Sequence, residues 1–98
     1  RAWFAELEAA NQKIVADKLK LAVEKGFQGG KPLFDSLSNS DGLREIRCSA
    51  FPGGAIRILF KHHTEGSYAV LNGFIKHSDN EGYDKYIPMA ECIYCNLR

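Results

Sequence analysis

The sequence predicts an α+β fold, in which an N-terminal helix or helical hairpin packs on an antiparallel β-meander of three or more strands and a short C-terminal helix closes the chain. Three observations predict it. Apolar residues recur at helical spacing over residues 2–25. Three strand-like runs follow, separated by short turns, and a second helical pattern begins near residue 85. The 98 residues suffice for one domain, spanning 1–98.

The N-terminal segment is amphipathic. Its apolar residues on one helical face are Trp3, Leu7, Ala10, Ile14 and Leu21. Asn11 is a poor helix-interior residue and a good cap, so the segment can be one helix, or a short helix, a tight corner and a longer helix. Gly26 is placed to end it.

Residues 27–42 are rich in Gly, Pro, Asn and Asp, and this composition predicts a loop. Strands are predicted over residues 43–51, 55–63 and 68–77. In the first, Ile46 and Cys48 alternate with Glu45 and Arg47, which is the period of a strand with two different faces. The turns at 52–54 and 64–67 are short, so neighbouring strands must be antiparallel.

Residues 85–98 predict a closing helix. Pro88 is expected in its first turn, where a missing N–H costs nothing. Met89, Ile93 and Leu97 are expected to form its inner stripe. Cys92 and Cys95 form a Cys-x-x-Cys pair, but no second pair exists to complete a zinc site, so core or surface cysteines are predicted.

Composition limits the function classes. The net charge is only +1, whereas nucleic-acid-binding domains are usually clearly basic. Any cationic surface must come from residues 31–77, which hold six of the Lys and Arg residues and all three His. An odd number of cysteines, three, favours a reducing cytoplasm over a disulfide scaffold. No apolar run approaches the ~20 residues of a membrane span.

Five motifs occur in an order typical of one family: "WFAELEAANQKIVADKLKLAVEKG", "KPLFDSL", "GLREIR", "AIRILF" and "VLNGFIKH". "PMAECIY" then supplies the alanine of a closing helix, Ala90. The sequence resembles the RelE/ParE superfamily of bacterial toxins, nearest its HigB-like and phage-derived group, over nearly its whole length. Members of that superfamily usually begin with a strand before the helices, so we expect such a strand upstream of Arg1. "KHSDNEGYDKYIP" is longer and more acidic than the corresponding family stretch.

The resemblance implies a RelE-like fold and the toxin of a type II toxin–antitoxin pair. It implies a cytoplasmic endoribonuclease that cuts messenger RNA on the ribosome, leaves a 2′,3′-cyclic phosphate and needs no metal or other cofactor. It also implies a cognate antitoxin, which would cover the cationic face or pack on a sheet edge. Two alternatives stay open: a ParE-like inhibitor of DNA gyrase, and a non-catalytic relative that only binds a partner.

The resemblance also implies site residues. Arg57, Lys76 and His77 would be catalytic, with Arg57 on the scissile phosphate. Substrate binding would fall to Arg47, His63 and Tyr86. Because an arginine within an apolar strand usually has a carboxylate partner, a salt bridge from Arg57 to Glu45 or Asp41 is the structural alternative.

Overall fold

The computed structural model describes residues 2–38 and 40–97, which form a four-stranded antiparallel sheet with helices on both faces. Within these residues no helix has the length and apolar character needed to cross a membrane. The predicted α+β class is confirmed. In chain order the elements are α1 (Ala2–Glu6), α2 (Ala9–Glu24), β1 (Phe34–Ser36), β2 (Arg44–Ser49), β3 (Ala55–Thr64), β4 (Ser67–Lys76) and α3 (Tyr83–Cys95).

The N-terminal segment is a helical hairpin, and its corner lies at Leu7 and Glu8. Asn11 is not the cap, because Glu8 occupies that position. Asn11 is instead buried in the first turn of α2, where its side chain bonds a backbone forty residues away. Its Nδ2 donates to the carbonyl of Phe51 (2.9 Å), and its Oδ1 accepts from the N–H of the same residue (2.8 Å). These two bonds tie α2 to the turn between β2 and β3.

The sheet has one more strand than the three runs indicated. The strand order is β1-β2-β3-β4, and every pair is antiparallel. The loop prediction over 27–42 is wrong at β1, which pairs with β2 through three residues, Phe34 opposite Ile46 being the first. Three residues are too few to show a period of two, so the sequence could not reveal this strand.

Each face of the sheet has its own core. One face packs against the hairpin, through Ile46, Ile56, Ile58 and Phe60 of the sheet and Val15 of α2. The other face packs against α3. Its apolar cluster consists of Leu43, Leu59, Leu71, Phe74, Ile87 and Ala90. Burial on both faces explains why β3 is almost continuously apolar.

The hairpin face fits β4 closely at one point. Trp3 lies over Gly73, where a Cβ atom would stand 2.7 Å from the indole ring. Only a residue without a side chain lets the ring approach the strand this closely.

The prediction for the inner stripe of α3 is wrong. Met89, Ile93 and Leu97 are exposed, Met89 by 44%. The helix carries two apolar stripes, and the one that faces the sheet contains Ile87, Ala90 and three tyrosines. The aromatic stripe fills more volume, since tyrosine rings bury large areas. The prediction for Pro88 is also wrong: α3 begins at Tyr83, so Pro88 is its sixth residue and lies beyond the first turn.

The Asn11 bonds make a testable contribution to stability. Asn11→Ala leaves the N–H and carbonyl of Phe51 without this partner, so we expect the free energy of unfolding to fall by about 2 kcal/mol in urea titration. Lys13→Ala on the same helix, which removes only an exposed pair with Asp17, should change it by less than about 0.5 kcal/mol. Equal effects of the two substitutions would contradict this role.

Candidate functional site

Polar side chains collect at one end of the sheet, on the face that α3 covers only in part. Beyond the end of α3's apolar cluster lies an open cleft of about 430 Å³. Alternation places residues 45 and 47 of β2 and residue 57 of β3 on this face. The lining residues are Lys31, Asp35, Glu45, Arg47, Gly54, Ala55, Arg57, Lys76, His77, Ser78, Asp79 and Tyr83.

Four charged side chains form the wall of the cleft, and we call them the charge quartet: Asp35, Glu45, Arg47 and Arg57. Asp35 stands directly opposite Glu45, and Arg47 directly opposite Arg57. Like charges in such cross-strand positions repel. Opposite charges meet on the diagonals, with Arg47 Nη1 3.6 Å from Asp35 Oδ2 and Arg57 Nε 3.7 Å from Glu45 Oε1. The two diagonals offset the repulsion of the two like pairs.

Arg57 is the more deeply buried of the two arginines in the quartet, with 8% of its surface exposed. Its Nη1 donates to the carbonyl of Ile56 (3.1 Å) and lies 3.5 Å from that of Cys48. Its Nε has no hydrogen-bond acceptor among the described residues, because Glu45 is too distant for a bond. The guanidinium is therefore fixed in place while part of its donor capacity is unused. The expected alternative of a carboxylate partner is found with Glu45, whereas Asp41 pairs with Lys61.

Glu45 is itself held from α3. It is buried, and its Oε1 accepts a hydrogen bond from the hydroxyl of Tyr83 (2.8 Å). Burial, and next the bond to Glu45, raise the pKa of Tyr83 to about 12. The phenol therefore stays protonated at neutral pH and keeps donating to the carboxylate.

Lys76 and His77 lie at the mouth of the cleft, where β4 ends. Lys76 Nζ donates to the carbonyl of Asp79 (2.6 Å) and lies 4.8 Å from the centre of the Tyr83 ring. The His77 ring is exposed and packs against Gly54, where a Cβ would stand 2.7 Å from it. Gly54 has φ +87°, a backbone conformation that favours glycine, and the His77 ring leaves no room there for a Cβ atom.

The structure brings together four of the six predicted site residues: Arg47, Arg57, Lys76 and His77. It places the other two elsewhere. His63 lies near the far end of β3, with its ring 5.8 Å from that of Tyr94. Tyr86 packs in the core beneath α3, stacked on Phe74 at 4.8 Å.

No role at the site was predicted for Lys31, Asp35 and Glu45, which line the cleft. Lys31 and Asp35 fell in the predicted loop, and no signal pointed to them. Glu45 was considered only as a salt-bridge partner. The spacing of Glu45 and Arg47 was the available signal, since residues two apart on a strand share a face.

A family model matches most of the chain. The model described as "Phage derived protein Gp49-like (DUF891)" matches residues 2–94. The chain belongs to this Gp49-like family. Gp49-like proteins are related to RelE-like toxins and are associated with toxin–antitoxin pairs, so an antitoxin partner is indicated. Neither the curated proteins nor the solved structures gave a match.

The cysteines of this Gp49-like protein are free thiols. Cys48 is buried, and burial raises its pKa to about 11, while Cys92 and Cys95 are exposed on α3. Across residues 2–38 and 40–97, no three or more His, Cys, Asp or Glu side chains are grouped so that they could hold a metal ion.

The bond from Tyr83 to Glu45 predicts a pH-dependent contribution to stability. Tyr83→Phe should lower the free energy of unfolding by about 1 kcal/mol. Because the pKa of the phenol is higher in the folded than in the unfolded chain, this difference is fully present below pH 10 and shrinks as the pH rises toward 12. Urea titrations at several pH values between 7 and 11 measure it.

Tyr86→Phe is the matched control. The Tyr86 ring stacks on Phe74, and its hydroxyl makes no hydrogen bond in the described structure, so its loss should have little effect at any pH. A Tyr83→Phe difference that stays constant up to pH 11 would show that folding does not raise the pKa of the Tyr83 phenol.

Proposed function

We propose that this Gp49-like protein is a toxin that cleaves messenger RNA on the ribosome in the bacterial cytoplasm, without a metal ion. One observation carries the proposal: Arg47 and Arg57 stand opposite each other on neighbouring strands, at the wall of an open cleft. A phosphate bound between them would relieve their mutual repulsion and accept hydrogen bonds from the guanidinium groups that line the cleft.

Phosphate binding suits the chemistry of these groups. A guanidinium stays charged at any physiological pH and matches two phosphate oxygens with two N–H groups. Arg57 is anchored by backbone carbonyls on one side and by Glu45 on the other. Such a preorganised donor stabilises charge that develops in a transition state more than a mobile one does.

The proposed reaction is an internal transesterification of RNA. The ribose 2′-oxygen forms a bond to the adjacent phosphorus, and the bond from phosphorus to the 5′-oxygen of the next nucleotide breaks. One proton leaves the 2′-hydroxyl and one is delivered to the departing 5′-oxygen. Arg57 would hold the phosphoryl oxygens with support from Arg47 and Lys76. His77, exposed at the mouth of the cleft, would carry one of the protons.

Two observations favour the two alternative candidates. These are a non-catalytic relative that binds its partner and a ParE-like inhibitor of gyrase. Arg57 already has a carboxylate neighbour, and the net charge of the chain is only +1. Both lower the affinity expected for a polyanion. In either candidate the antitoxin is the partner, bound over the cationic cleft or along the edge of the sheet.

Expression of the chain without an antitoxin tests the proposal. We expect growth arrest with cleaved messenger RNA, and we expect Arg57→Ala to abolish both. Arg57→Lys keeps a positive charge beside Glu45 and should lower cleavage at least 100-fold, since an ammonium lacks the bidentate geometry. Circular dichroism and thermal melting show whether each variant is folded.

Lys61→Ala is the control, because Lys61 lies on the same strand as Arg57 but outside the cleft, paired with Asp41. It should leave arrest and cleavage unchanged. Arrest with intact messenger RNA and a DNA-damage response would favour the gyrase inhibitor, and absence of arrest would favour the binding module. Full cleavage by a folded Arg57→Ala variant would refute the site.

A further inference from the structure

A second depression of about 810 Å³ adjoins the cleft on the side of α2. We call it the α2 groove. Leu21, Leu33 and Cys48 contribute apolar lining. Lys18 lies on α2, and Lys25 is the C-cap of that helix. Its full lining is Lys18, Leu21, Lys25, Lys31, Pro32, Leu33, Arg47, Cys48, Ser49, Ala55 and Arg57.

The α2 groove is more strongly cationic than the cleft. The expectation that any cationic surface comes from residues 31–77 is wrong here, because Lys18 and Lys25 lie outside that segment. Five of its lining side chains are Lys or Arg, and none is acidic, whereas the cleft also contains Asp35, Glu45 and Asp79. No carboxylate of residues 2–38 and 40–97 lies within 4.0 Å of the ammonium of Lys18 or Lys25. The positive potential of these two lysines is therefore not cancelled locally.

The groove and the cleft share four residues: Lys31, Arg47, Ala55 and Arg57. They meet beside the N-terminal end of β1, where β2 continues past its pairing with that strand. Arg47 and the residues after it have no partner in β1, although the N–H of Arg47 donates to the carbonyl of Leu33 (2.8 Å). An RNA strand with one phosphate against Arg57 can therefore continue past the edge of β2 into the α2 groove.

We infer that the α2 groove binds the sugar–phosphate backbone of the RNA adjoining the scissile phosphate, with Lys18 and Lys25 as the phosphate contacts. This inference rests on the proposed function. The lining contains no aromatic ring on which a base could stack, and a lysine ammonium is a compact charge that suits contact with phosphate. The groove therefore positions the strand and raises its affinity without adding sequence preference.

Fluorescence anisotropy with two labelled RNAs that cannot be cleaved, both carrying 2′-O-methyl groups, tests this. A dinucleotide reaches only the cleft, and a hexanucleotide also reaches the α2 groove. The double variant K18A/K25A should bind the hexanucleotide roughly tenfold more weakly and bind the dinucleotide as the unaltered protein does. The slope of log K against log salt for the hexanucleotide should become shallower by about 1.4, or ~0.7 for each lost contact.

The double variant K13A/K20A removes two charges from exposed positions of the same helix outside the groove, and it should retain the affinity and the salt slope. Binding of the hexanucleotide by K18A/K25A with unchanged affinity and slope would overturn the inference while leaving the proposed function intact. Failure of the unaltered protein to bind either RNA would overturn both. Displacement of the hexanucleotide by a polyglutamate peptide, but not by a longer unlabelled RNA, would assign the groove to an acidic protein segment instead.

Discussion

Arg47 and Arg57 face each other across two neighbouring strands, and Asp35 and Glu45 face each other one pair further along. Each like-charged pair alone would weaken the sheet, and the diagonal contacts at 3.6 and 3.7 Å are what make both tolerable. The balance is incomplete at Arg57, whose Nε has no acceptor in the described structure. That Nε is buried, so an anion in the cleft would instead meet the guanidinium N–H groups that line it and would offset the repulsion between the two arginines. The proposed function depends on the charge quartet for this reason.

The fold keeps this arrangement in place from both sides of the sheet. On the hairpin side, the apolar core fixes the register of β2 and β3, since a slip by one residue would turn Ile46 and Ile58 outward and the arginines inward. On the other side, α3 reaches across with Tyr83 to hold Glu45. The polar end of the sheet is thus open to solvent in the cleft but rigid in its geometry, which is the condition for electrostatic preorganisation.

Much of this architecture was predictable because the signals were local. The strict alternation of β2, the apolar run of β3 and the glycines of the turns predicted the meander and put Arg47 and Arg57 on neighbouring strands. The predictions that were wrong concern choices made by tertiary contacts. Asn11 bonds Phe51, forty residues away, and α3 turned its tyrosine stripe rather than Met89 toward the sheet. β1 was too short to have a pattern, so Asp35, one member of the charge quartet, could not be anticipated.

Phosphate binding between Arg47 and Arg57 can be tested by observing the two guanidinium groups themselves. The ¹⁵N-edited NMR spectrum of the arginine Nε–H groups can be followed while a 2′-deoxy dinucleotide, which cannot be cleaved, is added to the protein. We expect saturable shifts of the Arg57 and Arg47 signals with a single dissociation constant. The Arg44 signal should stay in place, because that side chain is bonded to the carbonyls of Phe27 and Gly29 away from the cleft. An Arg57 signal that does not move while the dinucleotide binds elsewhere would show that the charge quartet is not the phosphate site.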